Sequence, residues 1–301
     1  MNQVNIRGVN HFYEYFPCQS VDDETSTTQP VLVFIHGWLL SNHFWNPLIE
    51  ELRENYSCLS YDLKGFGRSK LPNDYTSNNE KTSSIPFSLE DYSDDLYTLL
   101  ENLNIKKAWL VGHSLGGSVA LWGANRCQDI VEGVICVNAG GGIYLHDEFN
   151  RFRKAGENLV KFRPRWLLNI PLLGLVFARM MVKIPLSSYW GKQRLKDFIN
   201  ADEIAAIGSL LESTTEEQVH YLPEIVAGLS QPVHFIAGKQ DFVMEPKYVK
   251  HLASFHSLFK NQQQNVYEID KCGHFAMLEQ TQEVADRIDK ILTLEYQLSI
   301  D

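Results

Sequence analysis

A serine stands at position 114 in VGHSLGG, between Gly112 and Gly116, directly after an apolar run and before a helical pattern. A serine hydroxyl hardly ionises near neutral pH. Nucleophilic work there needs a base, an acid to orient that base, and donors for the negative charge that develops. His274, in KCGHFAM, is the candidate base: an imidazole with an ordinary pKa near ~6.5 can take the serine proton and return it to a leaving group. Asp241, in GKQD, is the candidate acid, which would hold the imidazole in one tautomer and stabilise the imidazolium. Each residue also has a plainer reading. Ser114 would be a helix cap, His274 a surface histidine, and Asp241 a solvent-facing turn residue. For most of the ten histidines, including His11, His220 and His256, the surface reading is the expectation. His36 and His113 are read as local hydrogen-bonding or packing residues.

These side chains meet only if the elements between them bring their positions to one edge. VLVFI (31–35) is continuously apolar between Pro30 and Gly37, as a strand buried on both faces should be. HFWNPLIEELRENY reads as a helix and SCLSYDL as the next strand; the polar stretch PNDYTSNNEKTSSIP reads as a surface loop. Ser88 is the expected N-cap of a helix running to about Asn104. AWLV is a strand, SLGGSVALWGANRC a helix and GVICVN a strand. PVHFIAG and NVYEID are further strands, with EPKYVKHLASFHSLF and EQTQEVADRIDKILTLEYQ as helices. NIRGVNHFYEYF fits one or two antiparallel edge strands. Strands alternating with helices imply a mostly parallel, doubly wound α/β sheet, and chemistry on such a sheet collects at the carboxyl ends of its strands. HGW, DLKGFGRS, GHSLG, GKQD and KCGH fall at those ends.

In these motifs the chain resembles the α/β-hydrolase superfamily, over nearly its whole length. The resemblance implies a core in two parts, 1–142 and 229–301, with residues 143–228 forming an inserted helical cap. It implies that Ser114 sits on a strained strand-to-helix turn as nucleophile. It implies that the backbone N–H groups of Trp38 and Leu115 form the oxyanion hole. Some members of the superfamily carry the acid after the preceding strand, but here that strand ends in Asn138 with no carboxylate close behind, which favours Asp241. Members that open epoxides or displace halide carry an aspartate at the nucleophile position, where this chain has serine. The DLKGFGRS turn is read as architectural, with Asp62 tying the loop. The expected activity is therefore serine hydrolysis of a carboxylic ester through an acyl-enzyme. A small-molecule sensor with residual hydrolysis, a non-catalytic interaction module, or a C–C hydrolase or perhydrolase on the same serine remain open.

Composition bounds the rest. The 301 residues are 44% apolar and 21% charged, the profile of a folded globular chain. No H-E-x-x-H or comparable spacing predicts a metal. GFGRS lacks the third glycine of G-x-G-x-x-G, so neither a dinucleotide nor any other cofactor is expected. Five cysteines without C-x-x-C spacing read as free thiols in a reducing compartment, and MNQVNIRGVN has no secretory pattern; a cytoplasmic location follows as the expectation. A net charge of −10 argues against nucleic-acid binding. Residues 151–197 nevertheless carry eleven basic side chains against Glu157 and Asp197, a local +9 that leaves −19 elsewhere. Within this segment lies WLLNIPLLGLVFARMMVKIPL, the most apolar stretch of the chain. Pro171, Gly174, Arg179 and Lys183 interrupt it and make it a poor membrane span. Basic residues flanking such a stretch predict a lipophilic ester substrate and peripheral contact with an anionic membrane, unless the basic cap simply pairs with the acidic core. KFRPRWLLNIPLLGLVFARMMVKIP also resembles the caps of chlorophyll dephytylase-like esterases, which cleave a prenyl ester.

Overall fold

The computed structural model describes residues 2–20, 29–72, 87–140 and 146–298. Its strands are β1 (Asn2–Ile6), β2 (Val9–Phe16), β3 (Val31–Ile35), β4 (Cys58–Tyr61), β5 (Ala108–His113), β6 (Val131–Val137), β7 (Val233–Gly238) and β8 (Val266–Ile269). They form one sheet in the order β1-β2-β4-β3-β5-β6-β7-β8. β2 pairs antiparallel with β1 and β4, and every other pairing is parallel. The alternation in β3 explains its place: Leu32 and Phe34 join the core on one face of the sheet, Val33 and Ile35 the core on the other. A strand apolar on both sides is stable only with helices on both sides. At the edge, Arg7 and Gly8 both take positive φ, 49° and 86°, which matches the twist of a tight hairpin. Arg7 Nε then donates to Asp95 Oδ1 at 2.8 Å, fixing the hairpin to a neighbouring helix.

The core helices before β6 are α1 (Asn46–Leu52), α2 (Leu89–Asn102) and α3 (Leu115–Arg126). Ser88 caps α2 in a reciprocal box with Asp91, as the sequence suggests. The helix expected over HFWNPLIEELRENY is divided. Residues Asn42–Trp45 form a 3₁₀ turn, and Pro47, lacking an N–H, starts α1. The strand expected over SCLSYDL stops at Tyr61, and the Asp62 carboxylate that follows accepts from Asn42 N at 2.7 Å and Arg68 N at 2.8 Å. The stretch expected as a loop lies outside the described residues from position 73 on.

Between β6 and β7 the described chain is helical: α4 (His146–Lys161), a 3₁₀ turn (Arg165–Asn169), α5 (Leu173–Phe177), α6 (Ser188–Asn200), α7 (Glu203–Ser213) and α8 (Glu216–Gly228). Residue 143, the expected start of the insertion, lies outside the described residues. After β7 come α9 (Pro246–Ala253), α10 (Ser257–Lys260), α11 (Ala276–Glu279) and α12 (Thr281–Leu298). The single helix expected over EPKYVKHLASFHSLF is thus two. His256 takes an extended backbone, and its ring accepts from Leu258 N at 3.2 Å, capping a new turn.

Polar bonds join the helical insertion to the core. Trp38 Nε1 donates to Ala206 O at 2.8 Å, Leu71 N to Asp202 Oδ2 at 2.8 Å, and Ser41 Oγ to Asp197 Oδ2 at 2.7 Å. Asp197 is buried on α6, and Gln193 Nε2 also donates to it at 3.0 Å. Burial raises the Asp197 carboxyl to about 6, against the pull of the Ser41 and Gln193 hydrogen bonds. A carboxyl raised on folding stabilises the fold fully below its unfolded value, and that contribution is lost as pH rises through the folded value. Going from about pH 4 to about pH 7 should therefore cost the wild type up to about 3 kcal/mol relative to Asp197→Asn. Urea unfolding of both proteins at the two pH values measures this, and parallel pH profiles would contradict it.

Candidate active site

The parallel register aligns the strand ends: Ile35 lies opposite Gly112, His113 opposite Val137, and Gly238 opposite Ile269. Ser114 follows β5 directly and opens α3 with φ 52° and ψ −121°, a conformation a serine adopts at a cost of about 1–3 kcal/mol. Only glycines fit around this turn. A Cβ on Gly112 would lie 2.2 Å from Gly116 O, and one on Gly116 would lie 2.2 Å from Ile35 O. The capping reading of Ser114 does not hold, since its side chain makes no cap hydrogen bond and is only half-buried. It faces a cavity that His274 also lines.

His274 is 5% exposed, and its Nδ1 donates to Asp241 Oδ2 at 2.8 Å. With Nδ1 carrying that proton, Nε2 is the free acceptor in the neutral ring. Asp241 is itself buried. Its Oδ1 accepts from Val243 N at 2.8 Å and Met244 N at 3.0 Å, and its Oδ2 also accepts from Asn138 Nδ2 at 3.0 Å. Burial pushes the Asp241 carboxyl up. The charge of His274 and these hydrogen bonds outweigh burial and hold it below the usual carboxylate value.

Three supporting residues escaped the sequence reading or were given no such role there. Asn138, at φ 47° after β6, donates to Asp241 and to Gly273 O at 2.9 Å, and accepts from Ala276 N at 3.1 Å. It thus fixes the acid and the loop around the base together. Glu279, at the end of α11, accepts from the backbone N–H groups on both sides of His274, Gly273 at 3.0 Å and Phe275 at 3.0 Å. The same carboxylate accepts from Lys183 N at 2.6 Å and Ile184 N at 3.0 Å of the insertion. A glutamate five residues past a histidine carries no pattern that would reveal this. Arg194, buried on α6, donates to the carbonyls of Phe177 and Met180 and lies 4.1 Å above the Phe275 ring.

The other motif residues are structural, as the sequence suggests. His113 Nε2 donates to His274 O at 2.7 Å; burial, with His274 adjacent, drives its pKa down to about 3, so the ring stays neutral. His36 Nδ1 donates to Gly37 O at 2.8 Å while its Nε2 accepts from Leu63 N at 3.0 Å. Asp62 ties the 62–69 turn through the bonds given above. Of the three histidines named above for the surface reading, two are buried, and His234 is buried as well. His11 lies buried 4.0 Å from Asp95, and His256 is buried with its Nε2 donating to Gln231 O at 3.0 Å. His220 is exposed.

The residues of the two expected oxyanion donors, Trp38 and Leu115, line the same cavity as the serine. Leu115 N is at the first position of α3, where a helix leaves N–H groups without intrahelical partners. Trp38 follows Gly37, and a Cβ on Gly37 would stand 3.1 Å from Ser114 Cβ. No backbone hydrogen bond among the described residues takes up either N–H. Beyond the serine opens a cavity of about 260 Å³, walled by apolar side chains such as Phe177, Phe198, Leu210, Leu222 and Val243. Among the described residues, no group of three or more histidine, cysteine, aspartate or glutamate side chains is placed to hold a metal.

The model of the alpha/beta hydrolase family matches residues 32–287. A 29% identical match with Protein PHYLLO, chloroplastic, of Arabidopsis thaliana covers 47% of this chain but 8% of that protein. A relative of matching length is the 2-succinyl-6-hydroxy-2,4-cyclohexadiene-1-carboxylate synthase of Salmonella typhimurium, 29% identical over 88% of this chain and 94% of the synthase. Among solved structures, a thermophilic esterase from Thermogutta terrifontis superposes with a TM-score of 0.72 at 19% identity, covering 98% of this chain and 99% of that one. At that identity the likeness speaks for the fold alone.

Glu279 gives the site its sharpest structural test. Glu279→Ala leaves four N–H groups without their acceptor and should destabilise the protein by about 3–5 kcal/mol, read from urea unfolding. A loss below about 1 kcal/mol would show that water or a neighbouring group serves those donors equally well.

Proposed function

The chain belongs to the alpha/beta hydrolase family, and we propose that it is a serine hydrolase cleaving a lipophilic carboxylic ester with Ser114, His274 and Asp241. The observation that carries this reading is the Asp241–His274 hydrogen bond, 2.8 Å long, at a cavity lined by both the imidazole and a strained, half-exposed serine. Ser114 Oγ attacks the ester carbonyl carbon as His274 Nε2 takes its proton. The oxyanion accepts from the N–H groups of Trp38 and Leu115. His274 then protonates the alcohol oxygen, the C–O bond breaks, and the acyl group remains on Ser114. Water, deprotonated by His274, attacks the acyl-enzyme and releases the carboxylic acid, returning the proton to Oγ. Asp241 stays ionised throughout and holds the imidazolium. The apolar cavity walls support a lipophilic substrate, since such walls bind hydrocarbon and leave few polar groups to be matched.

The synthase relative supports a second reading, in which the same serine site serves a reaction other than ester hydrolysis and no acyl-enzyme accumulates. Reaction with a fluorophosphonate and a burst of alcohol from nitrophenyl esters distinguish the two.

Under the first reading, Ser114→Ala lowers ester turnover by about 10⁶-fold with unchanged urea unfolding. In a nitrophenyl ester series, kcat/KM should rise with acyl length. A flat series, or one peaking at acetate, would remove the lipophilic substrate while leaving the serine chemistry standing.

A further inference from the structure

The helical insertion leaves unburied what a core would bury. More than half of the large apolar side chains exposed among the described residues lie within residues 159–189, including Phe162 at 85%, Leu172 at 73% and Trp166 at 60%. The acidic core does not cover the basic residues of this segment. Lys161 pairs with Glu157 on its own helix at 2.6 Å, but no ion pair among the described residues engages the exposed Arg165, Arg179, Lys183, Lys192 or Lys196. The chain from 158 to 196 contains no acidic residue. Pairing between cap and core therefore leaves this charge unexplained.

Apolar and basic side chains share the same surface hollows. In one, Phe162 and Trp166 stand with Lys161, Arg163 and Arg165, and with Asp202 and Glu203. In the adjoining hollow, Leu168, Ile170 and Leu172 stand with Lys192 and Lys196. Asn200 belongs to both. We propose that this face docks on an anionic lipid bilayer: Phe162, Trp166 and Leu172 enter the headgroup–acyl boundary while the surrounding cations meet lipid phosphates. Charge complementarity selects this occupant. A second copy of the chain would bring like charges together across a twofold contact, whereas an anionic membrane opposes them with the opposite sign. Tryptophan and phenylalanine are suited to the interfacial depth. Among the described residues no helix is long and apolar enough to cross a membrane, so the contact is peripheral.

The face is continuous with the site. Leu159 and Met180 are exposed on the insertion and also line the cavity that Ser114 faces. On the ester reading, a lipid ester passes from the bilayer along apolar side chains to the serine. That part rests on the proposed function; the docking itself does not.

Sedimentation of the full chain with vesicles of phosphatidylglycerol and phosphatidylcholine, against phosphatidylcholine alone, tests it. Binding is expected to the anionic vesicles and to fall at high salt. Arg165→Gln with Lys192→Gln should weaken partitioning by about 25-fold, at about fivefold per cation. Phe162→Ala with Trp166→Ala should weaken it by at least about tenfold. Both variants should hydrolyse a water-soluble nitrophenyl ester as the wild type does, which shows that they are folded. Absence of anionic binding, or binding indifferent to both variants, overturns the proposal. So does a stable dimer in light scattering that Phe162→Ala with Trp166→Ala dissolves. Hydrolysis without vesicle binding sinks the docking alone, and vesicle binding without any hydrolysis sinks the ester reading alone.

Discussion

Everything at the centre of this molecule turns on keeping one carboxylate charged where water is scarce. Asp241 is buried beside a buried imidazole, and burial alone would favour its neutral form. Two backbone N–H groups, the Asn138 amide and the His274 ring counter that tendency, and a carboxylate with this many donors stays ionised. A neutral acid would lose its hold on the tautomer of the ring. The loop 241–244, the end of β6 and the turn before α11 are therefore parts of one electrostatic arrangement, although they come from three regions of the chain.

A second carboxylate couples that arrangement to the insertion. Glu279 gathers N–H groups from both neighbours of His274 and from Lys183 and Ile184. His274 N adds a further strut by donating to Met181 O at 2.8 Å. The segment that roofs the cavity thus also braces the backbone of the candidate base. Arg194 reinforces this from the roof side by holding two carbonyls and stacking on Phe275. Movement of residues 177–184 would be felt at the imidazole without any direct contact between substrate and ring.

The sheet was legible because its signals are local. A run such as VLVFI is apolar on both faces, and G-H-S-L-G needs glycines wherever a strand turns into a helix without room for a Cβ. Ser114, His274 and Asp241 could be singled out because each follows a recognisable strand. Asn138 was noticed only as a position lacking a carboxylate, and Glu279 not at all. Their roles depend on backbone groups brought in from 95 to 138 residues away or from a neighbouring loop, and no spacing in the chain encodes them. The same holds for His11 and His256, whose burial is decided by packing and not by their sequence neighbours. Helix ends were misjudged where one side chain interrupts a periodic run, as Pro47 and His256 do.

The insertion enters between β6 and β7, two strands that are hydrogen-bonded neighbours from Val134 opposite Val233 to Val137 opposite Ile236. Closing a flexible loop costs free energy only as the logarithm of its length, about 0.6 kcal/mol for each doubling. Lengthening, shortening or exchanging the roof therefore scarcely disturbs the pairing beneath it. Selection can redesign what this molecule admits while the reactive floor, assembled from other stretches of chain, is inherited unaltered. That freedom has a local toll: a replacement roof must still present backbone donors to Glu279 and an acceptor to His274 N.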